Sequence, residues 1–321
     1  MEHADRGLRS TDRDAISRGD LLLLLQIPIL KAAALTLPGE RWLGFCRLIA
    51  SGASNRKAAE AVAAYFAAPS ATPVDADSVA LEARAARLEH FMQILAGKSG
   101  AALQPRLTGR EGLESALAAQ RGAVLWVAHF AYAPLAAKAA LMSAGHRTWH
   151  MSRPEHGFSK TRFGIAALNP LRWRVEERYL AGRILIDRKN PAAATLRARR
   201  LLGDNGIVSI TAGDWEGARV LEVPFGPGTV GISNGAPALA HLAGAALIPV
   251  VTVRESPGAP IDVILLPPLL PDRSASRNEW VEVAAGHFAE QVAPYVTRFP
   301  GQWRDWRRWK PSPKATASGA A

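Results

Sequence analysis

From about Leu103 onward, short apolar runs alternate with amphipathic segments, and this alternation constrains the fold more than any other feature of the chain. The clearest run is Gly122-Ala-Val-Leu-Trp-Val-Ala128, seven small and apolar residues that follow Arg121. A continuous run of that length reads as a strand buried on both faces. Strands are predicted at Ala123 to Ala128, Arg147 to Met151, Ile207 to Ile210 and Leu247 to Val253. Helices are predicted between them, at Arg110 to Gln120, Pro134 to Ala144, Thr195 to Leu202 and Ala236 to Ala243. Strands separated by helical segments predict an α/β fold, with a mostly parallel sheet flanked by helices.

The region before this alternation reads differently. Residues 40 to 97 predict only helices, at Glu40 to Ser51, Arg56 to Ala67 and from near Asp77 to Leu95, the last closed by Gly97. Ahead of them, Leu21 to Leu30 is the most hydrophobic stretch and runs on through Lys31 to Leu37. A spanning helix needs about 20 apolar residues, and Gln26, Pro28 and Lys31 make this segment a poor span. An interfacial or monotopic helix fits better, with a buried core helix as the competing reading. The expected organisation is a disordered segment 1–20, a helical membrane-associated region 21–97, an α/β domain 98–310 and a disordered tail 311–321.

Charge and cysteine content narrow the function classes. A net charge of +11 implies an acidic partner, and its spread along the chain without a nucleic-acid-binding signature favours an anionic membrane surface or acidic carrier protein over nucleic acid. The single cysteine, Cys46, excludes an internal disulfide and a cysteine-built metal site, and reads as a small buried apolar residue. No dinucleotide or nucleoside-triphosphate fingerprint is present, and no cofactor or metal is expected.

Four blocks carry candidate chemistry. His129 ends the first strand, the place where α/β proteins put their functional groups, and a neutral imidazole there can take a proton from a hydroxyl. Arg183 to Lys189 follows an apolar stretch and is suited either to an anion or to a solvated strand end. The stretch from Gly206 through Asp214 and Glu216 to Phe225-Gly226, Gly228 and Gly235 is glycine-rich; it either brings backbone N–H groups near an anion or makes tight turns. Finally, Trp303, Trp306 and Trp309 share a helical spacing among Arg304, Arg307, Arg308 and Lys310, which suits an interfacial belt or a helix packed on the domain.

Taken in order, these blocks resemble the bacterial lipid A biosynthesis acyltransferases, the lauroyl and myristoyl transferases of the lysophospholipid acyltransferase superfamily. The third block resembles the family stretch P-F-F-G…G…L-A…G-A…P-V at Pro224-Phe225-Gly226, Gly235, Leu239-Ala240, Gly244-Ala245 and Pro249-Val250. The ending resembles P-x-Q-W-x-W-x-x-R-W-K at Pro300, Gln302-Trp303, Trp306 and Arg308-Trp309-Lys310. The likeness covers roughly residues 40 to 310.

The resemblance implies a lysophospholipid acyltransferase-like fold with a membrane-associated N-terminal segment, peripheral or monotopic at the cytoplasmic face of the inner membrane. It implies transfer of a fatty acyl chain from acyl carrier protein or acyl-CoA to a lipid acceptor. The family signature is H-x4-D/E, in which the acid orients the histidine. His129 matches the base, whereas the acid position is Pro134. Arg188 falls where the family has a basic residue implicated in binding substrate phosphate, and Phe225 and Gly226 join it as expected substrate-binding positions. For the missing acid, Asp214 is the expected replacement, with Glu216 and Asp187 also near predicted strand ends. A backbone carbonyl holding the imidazole for a more reactive amine acceptor, or a non-catalytic lipid- or carrier-binding relative, are the other readings.

Overall fold

The computed structural model describes residues 14–51, 55–67, 73–97, 105–153, 155, 157–187, 189–213 and 219–312. Seven strands form the main sheet, in the order β1 (Pro105–Thr108), β9 (Ile261–Leu265), β8 (Ala246–Val253), β2 (Ala123–Val127), β5 (Ile207–Thr211), β3 (Thr148–Ser152) and β4 (Gly182–Leu185). All neighbours pair in parallel except β8 and β9. The α/β expectation therefore holds, with an antiparallel step near one edge. β2 lies in the middle, every residue buried, with Val127 opposite Thr211 on one side and Val250 on the other.

Ten α-helices flank the sheet among the described residues. Those that alternate with strands are α5 (Glu111–Ala118), α6 (Ala133–Ser143), α7 (Asn169–Glu176), α8 (Pro191–Gly203), α9 (Gly235–Ala243) and α10 (Arg277–Arg298). β2 can start only because Gly122 has φ +63°; a Cβ there would lie 2.5 Å from the carbonyl oxygen of Leu202. Helix α10, which the sequence reading did not anticipate, begins at a reciprocal cap in which Ser276 and Glu279 bond each other's backbone N–H. Its Phe288 stacks on Trp126 of β2 at 4.2 Å between ring centroids.

The N-terminal region is helical as expected: α1 (Arg18–Thr36), α2 (Gly39–Ala50), α3 (Arg56–Tyr65) and α4 (Ala76–Ala96). α1 begins ahead of the predicted boundary at residue 21 because Ser17 and Asp20 form a capping box, and Asp20 also accepts from Thr161. The described part of the segment expected to lack structure is thus tied down, with Arg162 N–H bonded to the Asp14 carbonyl. Leu30, Trp42, Leu43, Cys46, Phe91 and Met92 form a core shared by α1, α2 and α4. Cys46 is fully buried there, as expected, and burial pushes its thiol up to about 12.

Two further expectations are corrected. Val220–Phe225 (β6) and Gly228–Ser233 (β7) form an antiparallel hairpin, joined to β10 (Lys310–Pro311) in a second, three-stranded sheet. The tail expected to be disordered from Pro311 therefore starts with a paired residue; 313–321 lie outside the described residues. The tryptophan-rich ending is not one helix but two 3-10 turns, Pro300–Gln302 and Trp306–Arg308, separated by an extended step at Trp303. All three tryptophans are buried, so they pack the core rather than line a membrane interface.

Candidate active site

His129 stands just beyond the C-terminal end of β2, the position expected for it. The turn that follows is held from three sides. Ala128 N–H bonds to Val250 O of β8, Ala131 N–H bonds to Gln302 O, and Arg304 N–H bonds to His129 O at 3.0 Å. Phe130 and Trp303 form an isolated antiparallel bridge. The chain's C-terminal segment is thereby laid alongside the histidine.

This arrangement brings a carboxylate to the imidazole from the C-terminal segment. Asp305 Oδ1 lies 2.7 Å from His129 Nδ1, and its carboxylate is also 3.2 Å from the Arg308 guanidinium. Burial pushes the Asp305 carboxyl up, but His129, Arg308 and Arg304 outweigh it and leave the group below its ordinary value. An ionised carboxylate has no hydrogen to give, so Nδ1–H of His129 donates to Asp305 and the lone pair resides on Nε2. Burial lowers the histidine from its ordinary 6.5; Asp305 opposes this, while Arg304 and Arg308 add to it. The imidazole is therefore neutral near pH 7, oriented, and has its basic nitrogen free of the carboxylate. Its side chain keeps 21% of its surface exposed.

The surroundings fix the pair. Trp303 and Phe225 stack face to face, centroids 5.2 Å apart with planes 8° from parallel, and both line a small cavity with His129 and Asp305. Trp309 Nε1 donates to Phe225 O, and Trp306 Nε1 donates to Pro300 O. Gln302 clasps the end of β8 through both amide atoms, accepting from Arg254 N–H and donating to Arg254 O. Arg254 in turn holds Glu89 of α4, which accepts from the Tyr132 hydroxyl at 2.6 Å. Asp305, Glu89 and Arg254 were not anticipated; the signal for Asp305 was a lone acid between two buried tryptophans.

The other expected site residues fare unevenly. Asp214, Glu216 and Arg188 lie outside the described residues. Asp187 is exposed at the end of β4, bonded to Lys189 N–H, and β4 is three strands from β2, roughly 14 Å at ordinary strand spacing. Arg183 is engaged by the buried Glu176 at 2.9 Å and by Ser152, so it acts as a structural cation rather than a free anion site. Phe225 does reach the His129 surroundings. Gly226 occupies the hairpin turn at φ +57°, where a Cβ would lie 2.7 Å from the Tyr65 ring, so the tight-turn reading of this glycine holds.

A larger cavity, about 440 Å³, opens at the ends of β3 and β5 against the start of α9. Met151, Ile186, Ile210, Leu239 and Leu242 make its walls mostly apolar, and Arg153 and Arg277 add positive charge. Thr211 lines this cavity, while Ala212 and Gly213, the next residues, line the one at His129. Among the described residues no cluster of side chains could hold a metal ion. In comparisons with known proteins, no family model matches the chain and no curated protein matches it.

Proposed function

We propose that this protein is a membrane-associated acyltransferase of the lysophospholipid acyltransferase type, moving a fatty acyl chain from an acyl thioester to a lipid acceptor. The observation that carries the reading is the His129–Asp305 pair at the end of the central strand. In the proposed reaction Nε2 of His129 takes the proton of the acceptor hydroxyl or amine as that atom attacks the thioester carbonyl carbon. The carbon–sulfur bond then breaks, and the departing sulfur takes the proton from the imidazolium. Asp305 stays ionised throughout, holding the tautomer and stabilising the transient imidazolium. The apolar cavity beside the strand ends suits the acyl chain, and its volume falls in the usual range for ligand pockets, about 300–1,000 Å³. A basic chain with an apolar, exposed N-terminal helix suits an acidic carrier protein as donor and the cytoplasmic face of the inner membrane as location.

The test is transfer from labelled acyl carrier protein, or acyl-CoA, to bacterial lipids by the purified chain. General-base catalysis contributes about 10²–10⁴-fold, and disabling the acid behind a catalytic histidine costs about 10⁴. His129→Ala and Asp305→Asn should each lower turnover by about 10²–10⁴-fold while leaving the fold intact. Absence of transfer by the unaltered protein, or near-normal transfer by either variant, would refute the assignment.

A further inference from the structure

A third cavity, about 330 Å³, lies between α1, α3, α4 and the C-terminal segment. Five arginines line it: Arg84 and Arg87 from α4, Arg172 from α7, and Arg304 and Arg307 from the C-terminal segment. Among the described lining residues there is no carboxylate. At its wall sits His90, 4% exposed, its ring beside Gln93 and its nitrogens sealed from solvent.

The electrostatics point the same way. Burial first, then Arg87 and Arg172, push the Arg304 guanidinium down to about 9. Arg87, although exposed, is lowered by the protein around it and by Arg307 and Arg84. His90 is held down to about 3 by burial, then by Arg172 and Arg304. Arg172 is already paired with the buried Glu176, and Asp305 offsets Arg304 in part; the remaining like charges on this hollow repel one another, and an anion placed among them relieves that repulsion. Guanidinium clusters fit the tetrahedral, multiply charged oxygens of phosphate through paired N–H donors.

We propose that this cavity binds the phosphate group of a phosphorylated ligand, held by Arg84, Arg87, Arg304 and Arg307. A lipid headgroup is the favoured source, because Leu23 of α1 and Phe158 complete the lining and the rest of α1 presents leucines outward. The site adjoins the catalytic pair: Arg304 N–H bonds to His129 O, and Trp303 lines both cavities. That the bound ligand is the acyl acceptor rests on the function proposed above; that the cavity binds phosphate does not.

Calorimetric titration of the full chain in neutral detergent tests this, using inorganic phosphate, dihexanoyl phosphatidic acid and uncharged dioctanoylglycerol. The expected result is that phosphatidic acid binds at least about tenfold tighter than dioctanoylglycerol. Arg87→Gln/Arg304→Gln should weaken it by at least about tenfold. Arg307→Gln, at an exposed position, serves as a second variant should the double variant fail to fold, and weakens phosphatidic acid binding measurably. His129→Ala should bind phosphatidic acid as the unaltered chain does, so a failed transfer assay and a failed phosphate site are distinguishable. Inorganic phosphate binding as tightly as phosphatidic acid would support the phosphate site with a soluble source. No preference for the phosphate-bearing compounds, or affinity undiminished in both arginine variants, overturns it.

Discussion

His129 and Asp305 are joined by a 2.7 Å hydrogen bond, and the pH dependence of the proposed reaction should report both. In the proposed reaction the base form of His129 is the active one, and its pKa lies below the ordinary 6.5, so activity should be lost only as pH falls through that lowered value. kcat/KM is accordingly expected to fall on the acid side with a midpoint below 6.5. Asp305 raises the histidine against the pull of burial, so Asp305→Asn should move the midpoint further toward acid as well as lower the plateau. A profile centred above 6.5, or an Asn variant with an unmoved limb, contradicts this assignment. His129 was legible from the sequence because a polar residue ending a buried strand stands out locally. Asp305 was not, because it is 176 residues away and reaches the site only through the Phe130–Trp303 bridge. In the resembled W-x-W pattern one residue separates the tryptophans; here Arg304 and Asp305 both intervene, and the added step turns one carboxylate toward the histidine.

Among the elements, α1 has the most lopsided surroundings. Leu30, Ala33 and Ala34 are buried against the other N-terminal helices, while Leu22, Leu25 and Ile29 keep 58%, 70% and 56% of their surface exposed. It is also the one helix among the described residues long and apolar enough to cross a membrane by length and composition. Leu22→Asp/Leu25→Asp should abolish co-sedimentation with anionic vesicles and leave the melting temperature within about a degree or two, because neither side chain packs in the core. Leu30→Ala should do the reverse, costing about 2–5 kcal/mol of stability. Retained vesicle binding by the double variant would assign membrane contact to the basic surface alone. Periodicity identified the helices that carry one apolar stripe and the strands buried on both faces. It failed at β6, β7 and β10, whose apolar side is supplied by Trp303, Trp306 and Trp309 from distant sequence, and at the ending, where each tryptophan finds its own buried partner rather than one shared helical face.

At the scale of the molecule, two buried histidines link stability to pH. His150, bonded to Ser209, is held well below 6.5 by burial, then by Lys138, and His90 is held near 3. Both stay neutral in the folded chain and take up protons once it unfolds, so their contribution is complete above 6.5 and is lost as pH falls toward the folded-state values. Each should weaken the fold by about 1.4 kcal/mol per pH unit below pH 6. The urea midpoint should therefore drop steeply between pH 6.5 and 5; a flat midpoint would mean that these rings are protonated in the native state. The bridge between Phe130 and Trp303 has a temporal counterpart. During synthesis the apolar helix α1 emerges first, the strand bearing His129 in mid-course, and Asp305 only after the sheet that receives it has been made. Under the proposed function, α1 is available to a lipid surface before the base has its orienting acid, and the His129–Asp305 pair is completed only by the final docking step of folding.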